Sequence, residues 1–440
     1  MNPFSPTTPL DVQRRQLDAA ADLLDRGATL PDQVERAAEV EVGSTPSEVV
    51  YRENKLELHH YESRTDEQYD VPLLVVYALI NRPYVLDLQP DRSVVRTLLD
   101  QGFDVYLIDW GEPSRLDTTL TLGDYVRRYI DNCVDVVCER SGEDAIGLLG
   151  YCMGGTMSAM YAALNPERVR YLGLLATGLY FDDTGGVLER WGDEDHYDPG
   201  RLTDTYGNVP SDFLDVGFAL MDPVENLVTK YVRLYDNIED DEFVENFARM
   251  ETWLSDGIDV AGATYRQFIE DIYQDNRLAR GEMRLDGERV DLDRIDMPLL
   301  QIVGEYDHLV PPDSSVPFTD LVASDDTEVI EFPTGHIGLS VGSRSHAELW
   351  PQVAAWFADR STDDDRDLER IDGVGAAYAA RLREAGVEDL PALAAADPDA
   401  LAAETEISPG RIENWIEQAR TLAEGGERED EGERRREPDR

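Results

Sequence analysis

The sequence predicts an α/β protein with a mostly parallel sheet, an inserted helical domain and a small all-α module near its C-terminal end. Apolar runs at residues 71–77, 104–109 and 145–149 indicate buried strands and alternate with helical patterns, as is typical of a parallel sheet. Between Gly178 and Gly287 buried-strand runs stop and helical stretches follow one another, which indicates an insertion. The 440 residues, 42% of them hydrophobic, suffice for one large domain and an appendage.

The chain is strongly acidic, with 40 Lys and Arg residues against 92 Asp and Glu residues and a net charge of −52. Because the acidic residues are spread along the chain, they predict a solvated surface suited to molar salt, where the Debye length falls to about 3 Å. No signal peptide opens the sequence and no apolar run approaches bilayer length, so a cytoplasmic protein is expected. The three cysteines lack paired spacing, and neither a disulfide nor a zinc site is predicted.

An outer helix and a hairpin precede the buried strands. Helical spacing at Asp11–Arg26 predicts a helix within an N-terminal segment, residues 1–45, to which no chemistry is assigned. The core begins at residue 46 with an antiparallel hairpin that turns at Asn54. The pattern continues with helices at 91–101 and 122–140 and with the strands at 71–77, 104–109, 145–149 and 171–176.

Residues 148–156 form an apolar run that breaks into a Gly-x-Cys-x-Gly-Gly turn and continues as a small-residue helix. This pattern predicts a nucleophile elbow, in which glycines two residues before and after the nucleophile let strand and helix approach closely. Gly150 and Gly154 occupy those positions around Cys152. The N-terminal end of the helix favours a thiolate and offers the Met153 N–H as an oxyanion donor. By itself the motif fits a buried structural cysteine equally well.

Two later turns provide the partners that a nucleophile elbow requires. In an α/β-hydrolase fold the acid follows a late strand and the histidine follows the last strand, in the chain order nucleophile, acid, histidine. Asp307 follows the strand run 298–303, and His336 follows the alternating run 327–332. The order and the spacing therefore favour an α/β-hydrolase fold with Cys152, Asp307 and His336 as its catalytic triad.

Other residues compete for the role of base or complete the predicted site. His308 adjoins Asp307 but points away from it in an extended segment, and His346 lies inside a predicted helix, so His336 is preferred to both. A second oxyanion N–H is expected from the loop after the first buried strand, at Ile80. No metal or other cofactor is required.

The inserted domain, residues 178–287, is expected to form a cap over this site. Helical stretches are predicted at 210–220, 224–235, 241–254 and 261–275. The aromatic residues of the cap either line an apolar acyl channel or form the cap's own core. For any single residue the core is the preferred interpretation. These aromatics include Trp191, Phe213, Phe218, Tyr231, Trp253 and Tyr265.

The remainder of the chain is predicted to be helical. The catalytic core, residues 46–177 and 288–360, closes with an amphipathic helix at 345–359. An acidic linker (361–369), a helical module (370–424) and a disordered charged tail (425–440) are expected to follow. The module opens with Ile371-Asp372-Gly373-Val374-Gly375 and resembles a helix-hairpin-helix module. Alanines stand next in the sequence where a basic residue would help to hold a phosphate, so nucleic acid is not expected and a docking or structural role is preferred.

Several motifs in order resemble the polyhydroxyalkanoate synthase catalytic subunit. The matching segments are Leu79 to Leu88, Gly150 to Gly155, Trp253 to Asp275, Gly281 to Val290, Asp307 to Pro312 and Gly335 to Gly338. The similarity extends over about residues 46–360. The compact N-terminal part is most similar to the short class III subunit, and the acidic composition suits a halophilic archaeon. The appended C-terminal module lies outside the usual bacterial pattern.

The resemblance implies an acyltransferase that polymerises (R)-3-hydroxyacyl-CoA, such as 3-hydroxybutyryl-CoA, onto a growing polyester chain and releases CoA. In it Cys152 is the nucleophile, His336 the base and Asp307 the acid, which either orients His336 or also activates the substrate hydroxyl. CoA is then part of the substrate and a product, not a cofactor. The implied partners are a non-catalytic E subunit and the granule surface. A second copy of the chain, in a homodimer, is a further candidate partner. Weak candidates for binding the CoA phosphates are Arg82, Arg266, Arg280 and Arg284.

Two other functions stay open on the sequence. A cysteine-nucleophile thioesterase or hydrolase of the same fold would release free hydroxy acid instead of polymer. A granule-associated or nucleic-acid binding protein would act through the C-terminal module, beside a degenerate hydrolase domain. The complete triad argues against degeneracy.

Overall fold

A computed structural model describes residues 36–37, 40–221, 229–361, 368, 371, 373–374, 376–387, 390–405 and 407–434. The chain divides after Ala358 into two compact units. The helix predicted at Asp11–Arg26 and most of the predicted linker at 361–369 lie outside the described residues.

The first unit is built on an eight-stranded sheet. In chain order its strands are β1 (Ser47–Glu53), β2 (Leu56–Tyr61), β3 (Leu73–Val76), β4 (Val105–Asp109), β5 (Ile146–Tyr151), β6 (Val169–Leu175), β7 (Leu299–Gly304) and β8 (Thr327–Phe332). Their order across the sheet is β1-β2-β4-β3-β5-β6-β7-β8. Strand β2 pairs antiparallel with β1 and β4, and every other neighbouring pair is parallel. The predicted α/β class with a mostly parallel sheet is confirmed.

Helices flank the sheet and fill the segment between β6 and β7. They are α1 (Val94–Asp100), α2 (Asp131–Ser141), α3 (Met153–Leu164), α4 (Val187–Gly192), α5 (Pro199–Tyr206), α6 (Ser211–Met221), α7 (Lys230–Asp236), α8 (Asp241–Leu254), α9 (Gly262–Gln267), α10 (Gly338–Val341) and α11 (Trp350–Ala358). A short helix (Leu122–Asp124) and a π-helical turn (Tyr125–Ile130) lead into α2, a π-helical turn (Phe268–Gln274) follows α9, and another (Ser345–Leu349) precedes α11. Short elements complete the unit: strands Asp87–Gln89 and Arg92–Ser93, strands Arg284–Leu285 and Glu288–Arg289, and 3-10 turns Pro83–Leu86, Pro166–Arg168, Leu292–Arg294, Pro312–Ser314 and Val316–Leu321.

The central strands β3, β5 and β7 are buried along their whole length. They consist mainly of Leu, Val, Ile and Gly because a parallel strand covered by helices on both faces has no solvent side. Helix α3 is likewise buried at every position, which explains its small-residue composition. The parallel strands therefore end at one edge of the sheet, and the loops that follow β3, β5, β7 and β8 meet there.

The segment between β6 and β7 holds α4 to α9 and the short hairpin at Arg284–Leu285 and Glu288–Arg289. Helix α8 has the bounds that the sequence predicts, whereas residues 224–228 of the helix predicted at 224–235 lie outside the described chain. Helix α6 is apolar and yet has no buried residue, with side chains such as Phe213, Val216 and Leu220 exposed. This cap segment therefore turns part of its apolar surface away from its own core.

The second unit is all-α and has its own core. Its helices are α12 (Ala376–Glu384), α13 (Leu390–Ala395), α14 (Pro398–Thr405) and α15 (Pro409–Arg434), packed around residues such as Leu382, Leu393, Ile412 and Trp415. Helix α15 continues to Arg434, beyond the boundary at residue 424 that is predicted for the module, and the disorder predicted for residues 425–440 stays a prediction. Residues 435–440 lie outside the described chain.

Candidate active site

Cys152 lies at the turn between β5 and α3 in a strained backbone conformation. Its φ is 53° and its ψ −122°, a left-handed region that side-chain-bearing residues rarely adopt. The turn is held on both sides, since the Cys152 N–H donates to the Leu175 carbonyl (2.9 Å) and the Cys152 carbonyl accepts from the Gly155 N–H (3.0 Å). This is the geometry of a nucleophile elbow. A cysteine that only filled the core would not require it.

Three glycines make the turn sterically feasible. A Cβ on Gly150 would collide with the Cα of Gly155, and one on Gly154 with the carbonyl oxygens of Val76 and Tyr77. A Cβ on Gly155 would overlap the Thr177 side chain. The close approach of β3, β5 and α3 therefore depends on all three residues. Sequence reasoning assigned this role to the first two.

The loops after β7 and β8 bring Asp307 and His336 together. His336 Nδ1 donates a hydrogen bond to Asp307 Oδ2 at 2.6 Å. The other carboxylate oxygen, Oδ1, accepts the backbone N–H groups of Leu309 and Val310, each at 2.9 Å. Both residues are buried. The three N–H donors compensate the charge of the buried carboxylate and fix its orientation.

The His336 ring has a pKa well above its ordinary value. Burial lowers this pKa, but Tyr151, Asp307 and Cys152, together with the Asp307 hydrogen bond, raise it by more. Since burial raises the Tyr151 pKa to about 12, that phenol is neutral near neutral pH, and Asp307 is the partner that stabilises the imidazolium. Tyr151 also stacks on the His336 ring, with centroids 5.5 Å apart, and donates its O–H to the His336 carbonyl at 3.4 Å.

Cys152 and His336 line the same cavity, and the charge interaction between them contributes to the His336 pKa. Among the described residues no hydrogen bond joins the Cys152 sulfur to the His336 ring, whose polar contact is Asp307. Hydrogen bonds between catalytic groups are often long until the substrate is bound. Cys152 and the His336 of the His336–Asp307 pair therefore border one cavity, and their catalytic roles stay a prediction.

The two competing histidines lie in other surroundings. His308 is exposed and lies at the cavity wall, one residue after Asp307. His346 Nε2 contacts the Ser340 carbonyl at 2.7 Å and Nδ1 contacts Thr97 Oγ1 at 3.3 Å, and burial lowers its pKa. His346 is a packed residue outside the cavity lining.

The proposed oxyanion donors flank the cysteine. Met153 is the first residue of α3, so its N–H points out of the helix end and has no acceptor among the described residues. Ile80 and Asn81 line the cavity on the loop after β3, where Asn81 adopts a left-handed φ of 60°. Met153 and Ile80 therefore both border the cavity that Cys152 lines, and their roles as oxyanion donors stay a prediction.

The cavity above Cys152 has a volume of about 550 Å³ and mostly apolar walls. Every aromatic residue that the sequence singled out in the cap lines it, namely Trp191, Phe213, Phe218, Tyr231, Trp253 and Tyr265. The preferred interpretation of single aromatics as cap core is wrong for Trp191, Phe213 and Tyr231, which are 46%, 45% and 49% exposed. An apolar acyl chain fits such walls.

Several phenols around the cysteine escaped sequence reasoning. Burial raises the pKa of Tyr77 and Tyr273, and Cys152 adds to both effects, so these hydroxyls stay protonated beside the sulfur. Farther out, the hydroxyls of Tyr197 and Tyr265 are 2.7 Å apart. The position of Tyr151 next to Cys152 was a signal in the sequence. Tyr265 was already among the cap aromatics that the sequence singled out, whereas Tyr77, Tyr197 and Tyr273 come from separate elements and offered no signal.

The arginines considered for CoA are mostly engaged. Arg82 lies 3.5 Å from Asp256 and 3.8 Å from Glu112, and Arg266 pairs with Glu270 at 2.7 Å. Arg280 and Arg284 are exposed. Of these, Arg82 belongs to the loop beside Cys152. Over the described ranges, no group of three His, Cys, Asp or Glu side chains is placed to hold a metal ion.

The fold and the elbow define the class of protein. Residues 71–343 match the model of the alpha/beta hydrolase fold family, and residues 365–421 match that of the SAM-like helix-hairpin-helix tandem. The chain is an α/β-hydrolase-fold protein with a C-terminal helix-hairpin-helix domain. In the part of the chain that the structure describes, no helix combines the length and apolarity needed to cross a bilayer.

Relatives specify the family. Residues 17–98 match the model of the poly-beta-hydroxybutyrate polymerase (PhaC) N-terminus. The chain is 59% identical to the poly(3-hydroxyalkanoate) polymerase subunit PhaC of Haloferax mediterranei, over 94% of this chain and 98% of the relative. It is 53% identical to the same subunit of Haloarcula marismortui (95% and 99%) and 41% identical to that of Allochromatium vinosum (80% and 99%). The chain belongs to the PhaC family of poly(3-hydroxyalkanoate) polymerase subunits, as the sequence motifs predict.

Proposed function

We propose that this chain polymerises (R)-3-hydroxyacyl-CoA into polyester and releases CoA, with Cys152, His336 and Asp307 as the catalytic triad. The observation that carries the proposal is a cysteine on a strained nucleophile elbow that shares one apolar cavity with a buried His336–Asp307 pair. Its family membership supports the same reaction.

The first step is acyl transfer to sulfur. His336 Nε2 accepts the proton of the Cys152 thiol, and the sulfur attacks the thioester carbonyl of the substrate. The tetrahedral oxyanion is held by the N–H groups of Met153 and Ile80. The carbon–sulfur bond to CoA then breaks, the CoA sulfur takes the proton from His336, and an acyl-Cys152 thioester remains.

The second step extends the chain. The 3-hydroxyl of one acyl group loses its proton to His336 and attacks the thioester carbonyl of a second acyl group. An ester bond forms, the carbon–sulfur bond of that thioester breaks, and the leaving sulfur takes the proton from His336 and becomes a free thiol. Because thiol exchange with a thioester changes the free energy little, the acyl group on Cys152 stays activated for this attack. A serine would hold the acyl group as an oxygen ester, from which growth has no downhill step. Asp307 orients His336 and stabilises its cation, and activation of the substrate hydroxyl is a second role open to it.

The finer partner assignments belong to the proposal as well. A non-catalytic E subunit and the surface of a polyester granule are the proposed partners, with the chain cytoplasmic at that surface. A homodimer is a further arrangement. Arg82 follows the cavity-lining residues Ile80 and Asn81 on the loop after β3 and is the arginine best placed to meet the CoA phosphates, and it must exchange its contacts with Asp256 and Glu112 to do so. In molar salt the repulsion between CoA and the acidic surface is screened.

The test is product analysis. Purified protein in multimolar KCl, with and without an E subunit, is incubated with 3-hydroxybutyryl-CoA, and CoA, free acid and polymer are measured. We expect polymer to account for the CoA released. Free 3-hydroxybutyrate in proportion to CoA would instead establish the thioesterase alternative, and the absence of CoA release in both mixtures would contradict either enzyme.

Asp307→Asn is expected to lower kcat by about 10⁴-fold, the loss typical of a triad acid. It should also move the acidic limb of the kcat/KM profile to lower pH. The direction of this shift follows from the His336 pKa, which Asp307 raises and burial lowers. Without the Asp307 charge the pKa falls, so the neutral ring that acts as the base is present at lower pH. Initial rates of CoA release across pH measure both effects. A limb that moves to higher pH would contradict the role of His336 as base.

A further inference from the structure

Two tryptophans hold the loop that carries the proposed oxyanion donor Ile80. At its start, Trp110 Nε1, from the end of β4, donates to the Tyr77 carbonyl at 2.9 Å. At its end, Trp253 Nε1, from cap helix α8, donates to the Arg82 carbonyl at 2.8 Å. Between these two carbonyls the backbone passes through the left-handed residue Asn81.

The cap contacts the loop through one face of α8. Arg249, Trp253 and Asp256 follow one another at spacings of four and three residues, which places them on the same side of the helix and its last turn. Arg249 contacts Gln89 Oε1 at 3.1 Å, and Asp256 accepts the Tyr84 hydroxyl at 3.1 Å and lies 3.5 Å from the Arg82 guanidinium. All three therefore reach the same segment, residues 82–89.

Helix α8 also contacts the region before β1. Arg36 pairs with Asp241 at 3.0 Å, and Arg249 Nε donates to the Glu41 carbonyl at 3.2 Å. These two contacts are exposed, whereas Trp253 is only 2% exposed, so its hydrogen bond to the Arg82 carbonyl is sheltered from solvent. A sheltered hydrogen bond holds its geometry better than an exposed one, since water does not compete for it.

We propose that Trp253 is a positioning residue for the oxyanion loop. Through the indole N–H of Trp253, the cap fixes the position of the Ile80 N–H. This inference rests on the proposed acyl transfer at Cys152. Trp110 fixes the start of the loop from the core, whereas Trp253 fixes its end from the cap. Packing of α8 against the loop and formation of the oxyanion site are then coupled. When the cap moves away from the loop, the Ile80 N–H is no longer held beside Cys152 as the second oxyanion donor.

Trp253→Phe tests this by keeping an aromatic ring and removing the N–H donor. Two reactions of Cys152 are compared. Acylation by 3-hydroxybutyryl-CoA, followed as CoA released in a rapid-quench first turnover, passes through an oxyanion, whereas alkylation by iodoacetamide, followed by peptide mass spectrometry, does not. A displaced donor is expected to slow acylation by roughly 10- to 100-fold. Alkylation is expected to keep its wild-type rate, and KM for the thioester to change less than kcat.

Trp415→Phe is the matched control, since it makes the same change in the core of the second unit and should leave both reactions at their wild-type rates. Asp256→Ala is a second test that does not disturb a buried position, since the Asp256 side chain is 47% exposed. It removes the acceptor of Tyr84 and is expected to slow acylation several-fold without changing alkylation.

The outcomes separate the two proposals. If acylation is unchanged in Trp253→Phe, or if alkylation falls with it to the same extent, the positioning role is overturned. If Trp253→Phe does not fold, unchanged acylation in Asp256→Ala overturns it instead. If the wild-type chain forms no acyl-Cys152 at all, the proposed function itself fails.

Discussion

Cys152→Ala should lower kcat for CoA release from 3-hydroxybutyryl-CoA by about 10⁶-fold, the loss seen when a triad nucleophile is removed. The physical reason is that no other group in the cavity can form the thioester intermediate. Of the other cysteines, Cys133 is buried and Cys138 half-buried, and burial raises the pKa of both thiols. The measurement is CoA release together with mass spectrometry of the 152-containing peptide for a bound acyl group.

Cys133→Ala is the control for this prediction, because it removes a thiol from α2 without touching the cavity. It should keep CoA release and polymer formation at wild-type rates. Cys152→Ser sharpens the test, since it retains a nucleophile of similar size. We expect it to accumulate at most one acyl group and to make no polymer. Polymer formed at an appreciable rate by either Cys152 variant would refute the assignment.

His336→Gln should be nearly as damaging, again by about 10⁶-fold in kcat, because the nucleophile and the base act as a unit. Glutamine keeps a polar side chain that can contact Asp307 but cannot take up a proton. Both half-reactions should fail, so neither the first equivalent of CoA nor any polymer is expected. Single-turnover CoA release, compared with steady-state release, measures the two steps separately.

His346→Gln is the matched control, because glutamine can still donate to the Ser340 carbonyl that His346 contacts. It is expected to preserve CoA release. The thermal midpoint of unfolding reports any loss of packing in this variant. If instead the His336 variant released its first CoA at the wild-type rate, His336 would not be the base for acylation, and His308 at the cavity wall would be the next residue to test.

Much of the fold was predictable because the buried strands are continuous apolar runs. The strand predicted at 327–332 and the helix predicted at 241–254 have those bounds in the structure. The hairpin turn at Asn54 is likewise where the sequence places it, at a left-handed φ of 52° that asparagine tolerates well.

Part of the candidate site was predictable for the same local reason. Gly150, Cys152 and Gly154 stand close together in the chain, and a tight turn has few alternatives for that pattern. Asp307 and His336 follow recognisable strands, so the topology of a parallel sheet predicts that they meet. Their 2.6 Å hydrogen bond agrees with this expectation, while their catalytic roles stay a prediction for the variants above.

The amino-acid sequence determined the sheet, the elbow and the positions from which the acid and the histidine come, because each depends on residues that are neighbours in the chain or on the order of strands. Only the tertiary structure decided that cap aromatics face the cavity, that Tyr151 stacks on His336, and that Trp253 donates to the Arg82 carbonyl. Those contacts join elements far apart in the chain. Their geometry depends on how helices pack, for which a local pattern carries no signal.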